Sequence, residues 1–178
     1  INFRGALVYT NDFEGKITKF NLTNMSDDGD GNAISLYDNT TLFNSGSTKS
    51  NGRYMYHSMD ATIGQNTNSL WLYSGTGDYE RIAASSNSIS NLLLGIKDPH
   101  YPLYKEVKTP SQADDLTDCK NTTTDTTGAS CPQAGDRGWY ITLKDSKKVT
   151  AEPTVSSGLV YFPIYKPNAL DICAIGKA

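Results

Sequence analysis

The sequence holds no apolar run near the ~20 residues that a membrane-crossing helix needs. Nothing at its start has the charged, apolar and small-residue grammar of a signal peptide. It opens on Ile1 and not on methionine, which reads as a mature or excised piece of a longer protein. An excess of one charge is missing too. The 16 basic and 19 acidic residues leave a net −3, so there is no basic footprint for nucleic acid and no polybasic patch for a membrane surface. Histidine is scarce: His57 and His100 are the two in the chain, and without His-Glu-x-x-His or Cys-x-x-Cys no zinc ligand set can be assembled from sequence. No Gly-x-Ser-x-Gly elbow presents a nucleophilic serine, and no carboxylate pair is singled out for glycoside chemistry. Gly75-Thr76-Gly77 lacks the third glycine and following helix of a phosphate cradle, and reads as a backbone corner.

Helical periodicity of useful length is also absent. What is present is tyrosine (11), glycine (15) and abundant Asn, Ser and Thr, the composition of an all-β protein with many turns. A chain of 178 residues fits one domain, 1–178, and can bury a core without obligatory disulfides. The clearest pattern runs from Leu7 to Leu22. An apolar run meets the corner Asn11-Asp12-Phe13-Glu14-Gly15, and a second strand returns with Ile17, Phe20 and Leu22 as its apolar beats. Gly15 supplies a positive φ, and Asn11 and Asp12 can bond their own backbone, so the corner predicts a hairpin.

Further short strands are expected at 33–37, 41–43, 53–57, 69–73, 91–96, 138–143, 149–150 and 159–165, separated by turn-forming clusters. At about four strands and 40 to 45 residues per blade, this count corresponds to about three blades of a modified β-propeller. Such an open arc leaves an unpaired edge, to be completed by the rest of a parent chain or by another chain.

Between 109 and 137 large apolar residues nearly vanish, Leu116 excepted. The stretch reads as a long inserted surface loop, the place for a binding function, with Asp114, Asp115, Asp118 and Asp125 of its five aspartates as the candidate binding groups. Cys119 and Cys131 flank its polar tip, and a disulfide between them would close about 15 residues, worth ~3 kcal/mol in the chain-entropy model. It would leave Cys173 over, for a partner elsewhere. Three unpaired thiols is the alternative. Paired cysteines favour an extracytoplasmic location.

Asp28-x-Asp30-x-Asn32 sets oxygen ligands at alternate positions, the way a calcium loop begins. Ala33 stands where the tight turn wants glycine and Asn39 where a bidentate Glu belongs, so an acidic solvated turn is the competing reading. Tyr54, Tyr56, Trp71, Tyr73, Trp139, Tyr161 and Phe162 could form a carbohydrate platform, although their strand spacing favours blade core. Asn21, Asn24, Asn39 and Asn121 open glycosylation-type triplets of the kind that arise by chance in an Asn- and Thr-rich chain.

Several runs together resemble one family. Val8-Tyr9-x-x-Asp12-x-x-Gly15-Lys16-Ile17-x-Lys19-Phe20-Asn21-Leu22, then Leu70-Trp71-Leu72-Tyr73-Ser74-Gly75-Thr76-Gly77, then Leu94-Gly95-Ile96-Lys97-Asp98, are similar to the C-terminal propeller of the PilC/PilY proteins of type IV pili. The tail, Gly138-Trp139-Tyr140-Ile141-Thr142-Leu143, Glu152-Pro153-Thr154-Val155, Gly158 to Phe162, Pro167 and Cys173, resembles that family's closing segment. The resemblance implies part of a propeller in a large exported protein at the pilus tip or outer-membrane surface. It implies no enzymatic activity, partners among minor pilins, and adhesion to a host or abiotic surface. Some members carry a calcium loop that controls retraction, which Asp28, Asp30 and Asn32 match in part. The 109–137 loop has no counterpart in the family. The corner Asp12-Phe13-Glu14-Gly15-Lys16 also resembles blades of pyrroloquinoline-quinone dehydrogenases, but the adjacent cysteines and tryptophan repeats of those enzymes are missing. A structural, filament-decorating propeller is the third reading.

Overall fold

The computed structural model describes residues 6–23, 25–64, 69–119 and 135–168. In chain order the strands are β1 (Ala6–Asn11), β2 (Lys16–Leu22), β3 (Asn39–Asn44), β4 (Asp60–Ile63), β5 (Leu70–Gly75), β6 (Leu92–Asp98), β7 (Ser111–Gln112), β8 (Thr117–Asp118) and β9 (Gly138–Thr142). They are followed by β10 (Lys148–Val149), β11 (Thr154–Ser156), β12 (Leu159–Tyr161) and β13 (Ile164–Tyr165). The only helical piece among the described residues is a 3₁₀ turn, Ala113–Asp115. The protein is all-β. Its strands form a first sheet in the order β1-β2-β3-β7, a second in the order β4-β5-β6-β9-β8, and the ribbons β10-β13 and β11-β12.

The opening hairpin forms as its corner predicts, with β1 and β2 antiparallel from Ala6↔Leu22 to Asn11↔Ile17. The Lys16 N–H donates to the Asp12 carboxylate at 3.0 Å and the Gly15 N–H to the Asp12 carbonyl at 2.9 Å. Gly15 is needed twice over. Its φ is +73°, and a Cβ there would stand 1.9 Å from Ser45 Oγ, so the turn also lets the chain beyond β3 approach closely.

The two larger sheets bury a common core, Ile17, Leu42 and Phe43 of the first against Leu70, Leu72, Leu92, Leu94 and Ile96 of the second. On the other side of β6, Leu93 packs with Leu143 and Val149 under Trp139, Ile141, Phe162 and Ile164. β6 is therefore covered on both faces, which is why its sequence runs apolar without alternating. Gly95 keeps the second face thin, since a Cβ there would lie 2.2 Å from Trp139 Nε1.

The inward face of β2 departs from the expected apolar beats. Ile17, Lys19 and Asn21 are the wholly buried residues, while Phe20 and Leu22 are only partly covered. Lys19 meets Asp98 of β6 across the core, and Asn21 accepts from Thr23 and donates to the Ser35 carbonyl. Satisfied polar groups took positions that hydrophobic counting gave to apolar ones.

Residues 33–37 make no strand. They carry one isolated bridge, Asp27↔Ala33, and turn at Tyr37. Residues 53–57 form no ladder, and the strand of that region is β4, which the sequence pattern did not mark. The apolar run 159–165 is split by Phe162-Pro163 into β12 and β13, as expected where a proline removes a ladder donor.

The start of the 109–137 stretch is not a free excursion. β7 pairs parallel with β3, and β8 pairs parallel with β9. Between them Ala113 and Leu116 are buried in the common core, so 111–118 straps one edge of each sheet. Three blades are not spelled out by these pairings; two stacked sheets and two ribbons are.

Replacing Leu94 by Ala, at the centre of the common core, is expected to cost about 2–5 kcal/mol, whereas Val8→Ala on the exposed face of β1 should stay within ~0.5 kcal/mol. Urea denaturation of the two variants checks the assignment, and equal midpoints would contradict the burial of β6.

Candidate functional site

Two of the exposed aromatic residues, Phe13 and Tyr79, gather at one place. Phe13 sits at the tip of the β1–β2 turn and is 65% exposed, and Tyr79 follows the Gly75–Gly77 corner and is 52% exposed. Tyr56 lies between them, its ring 5.0 Å from that of Phe13 and 6.3 Å from that of Tyr79. Tyr54 closes on Tyr56 edge-on at 6.4 Å, and His57 on Tyr79 at 5.7 Å. The result is a shelf of tilted rings contributed by three separate loops.

Hydrogen bonds to backbone carbonyls hold the shelf in place. The Gly77 N–H donates to the Tyr54 carbonyl at 2.9 Å and Asn11 Nδ2 to the His57 carbonyl at 2.7 Å. Arg53 anchors the start of the segment, with Nε donating to the Ser90 carbonyl at 2.7 Å and Nη1 to the Ser45 carbonyl. Behind the rings, buried Asp78 pairs with Arg81. Burial, then Glu80 and Asp78, hold the Tyr56 hydroxyl above the ordinary tyrosine value, so it stays a neutral donor. His57 Nε2 is buried with no hydrogen bond. The sheet strands fix this display, and the rings offer flat apolar faces beside polar tips.

Of the aromatics read as core, Tyr73 is buried. Tyr54, Tyr56, Trp71, Trp139 and Phe162 are only partly covered, and Tyr161 is 55% exposed. Phe13 and Tyr79 were not singled out from sequence, because each stands alone among polar turn residues.

The acidic loop is organised by its own hydrogen bonds. The Asp28 carboxylate accepts from the Asp30 N–H at 2.9 Å, the Asn32 N–H at 3.1 Å and Asn32 Nδ2 at 2.9 Å, while Asp30 pairs with Lys105. Calcium in this loop would compete with those donors and with the Lys105 ammonium. Among the described residues no group of three or more His, Cys, Asp or Glu side chains is placed to hold a metal ion. The loop lines a cavity of about 330 Å³ with Leu7, Met25, Leu103 and Tyr104.

The acidic residues of the strap fall in the 3₁₀ turn and on β8. Asp115 caps its own 3₁₀ turn, accepting the Gln112 N–H at 2.9 Å. Asp114 lies in the same turn and Asp118 on β8. Asp125 lies outside the described residues, as do Cys131 and Cys173. Cys119 is disulfide-bonded. Beneath the strap a groove of about 480 Å³ is lined by Lys97, His100, Glu106, Lys108, Asp136 and Arg137. Burial lowers the His100 value, so the groove gains no positive charge from it at neutral pH. Among the described residues no helix is long and apolar enough to cross a membrane. Asn21, which opens one of the glycosylation-type triplets, is wholly buried.

The hydrogen bonds from Asn32 and Asp30 hold the Asp28 carboxyl below the ordinary aspartate value. For a depressed acid the stabilisation is complete above the unfolded-state value and lost as pH falls through the folded one. The loop is therefore expected to stay closed at mildly acid pH and to open only below the usual aspartate range. NMR shifts of the Asp30 and Asn32 amides followed against pH check this, and a midpoint at or above the usual value would refute it.

No family model, curated protein or solved structure matches the chain.

Proposed function

We propose that this chain is a non-enzymatic binding module of a larger extracytoplasmic protein, acting in the setting its sequence resemblance implies, at the tip of type IV pili, where it supports pilus assembly and adhesion to a surface. The observation that carries the binding role is the shelf of Phe13, Tyr56 and Tyr79, two exposed rings with a half-buried one between them, braced by Arg53, Asn11 and the Gly77 backbone. Exposed rings held this way suit a partner with flat apolar faces and hydroxyl groups, such as the sugar rings of a surface glycan. In the propeller reading, the first and second sheets are neighbouring blades stacked face to face. The outer edge of β1, which has no paired strand beyond it among the described residues, is then where the rest of the parent chain or a minor pilin would continue the ring.

Tyr56→Ala combined with Tyr79→Ala is expected to remove about 1–3 kcal/mol of binding, roughly 5- to 150-fold in Kd, with little change in melting temperature. Adhesion of piliated cells carrying the parent protein with both substitutions reads this directly. Immunogold labelling of sheared pili tests the setting separately. Label at filament ends with unchanged adhesion would reject the shelf and keep the location, and a periplasmic pool with none on filaments would reject the location.

A further inference from the structure

Lys19 of β2 and Asp98 of β6 lie 79 positions apart in sequence and meet in the core between the two large sheets, with both side chains wholly buried. Lys19 Nζ is 2.6 Å from Asp98 Oδ2 and donates at 2.7 Å to the Leu103 carbonyl. The Tyr9 O–H donates to the same Oδ2 at 2.7 Å, and the His100 N–H donates to Oδ1 at 2.9 Å. The Tyr9 and Tyr104 rings flank the ammonium at 5.9 and 6.0 Å. A salt bridge in such a place is costly, because the desolvation of two buried ions can exceed the Coulomb attraction between them.

We infer that Lys19 and Asp98 are the substrates of an intramolecular condensation, which joins Nζ to Cγ in an isopeptide bond and covalently links the first sheet to the second.

The atoms around the pair serve each stage of that reaction. Burial lowers the Lys19 value, favouring transfer of its proton to the carboxylate and release of a nucleophilic amine beside Cγ. The fixed approach replaces a bimolecular encounter. Attack forms the Nζ–Cγ bond, and the His100 N–H stabilises the charge that gathers on Oδ1. Oδ2 is the leaving oxygen. It departs as water, carrying two of the three ammonium protons, with the Tyr9 hydroxyl relaying one of them and ending unchanged. Burial and Asp98 hold Tyr9 protonated well above the ordinary tyrosine range, so it enters the reaction as the neutral phenol already donating to Oδ2. The third proton stays on the new amide nitrogen, where the Leu103 carbonyl already accepts it. Charge and atoms balance: an ammonium and a carboxylate become a neutral amide and one water, with no oxidant or reductant. In bulk water, ion hydration favours the separated pair. Here that hydration is absent and the product buries no charge. Pro99 follows Asp98 and has no N–H, so the usual cyclisation of an aspartate onto the next backbone nitrogen cannot consume the carboxyl.

The intact mass of the folded chain, measured after full reduction and denaturation, tests this. The expected value is one water below the sequence mass, and digestion should yield a branched peptide joining the Lys19 segment to the Asp98 segment. Lys19→Arg keeps a buried cation that does not condense and should restore the full sequence mass. Tyr9→Phe should slow conversion, with the unreacted mass persisting in freshly folded protein. The full sequence mass in folded wild-type protein after prolonged incubation would overturn the proposal, as would a lost water mapping elsewhere than to Lys19 and Asp98. Unchanged conversion in Tyr9→Phe would overturn the relay through Tyr9.

Discussion

The contact between Lys19 and Asp98 ties the two large sheets together. It is made at an inward position of β2 and at the last residue of β6, so it sets the depth and register at which one sheet lies on the other. It also organises the chain that follows. Asp98 takes the His100 N–H and Lys19 takes the Leu103 carbonyl, folding 98–104 back over the pair with Tyr104 buried above it. An apolar pair of similar volume could fill the space but would not dictate this return, because dispersion is not directional whereas charged hydrogen bonds are.

The same device recurs away from the centre. Asn91 is wholly buried, donating to the Lys147 carbonyl and accepting from Thr76 Oγ1. Lys148, also buried, donates to the Ala84 and Ser146 carbonyls, and burial lowers its value. Arg53 bonds three oxygens around the aromatic shelf. These side chains substitute for regular ladders where loops must be held, and they let irregular segments such as 53–57 present rings to solvent without pairing as strands. Fold and candidate surface thus rest on one habit of the sequence, long polar side chains turned inward to satisfy loop carbonyls.

Some of this was legible in the residues alone. The corner Asp12 to Gly15 carries its own turn chemistry, and the apolar run 91–96 reads as a strand. The all-β class follows from composition, turn density and the lack of helical periodicity. The strap was not legible, because β7 and β8 are two residues each and their pairing partners lie in different sheets. The shelf was legible only at Tyr56, since Phe13 and Tyr79 are far from it in sequence and belong to no periodic pattern.

Local chemistry was enough to determine where the chain turns and that it forms strands, because φ preference and the beat of apolar residues act over a few neighbouring positions. Which polar residues go inside was decided by tertiary structure. Lys19 reads as a solvent-facing lysine until Asp98 is brought to within 2.6 Å of it, and the energy that permits its burial comes from partners 79 and 84 positions away. Hydrophobic periodicity carries no record of such a partner, and so the inward face of β2 could be known only once the second sheet had folded onto the first.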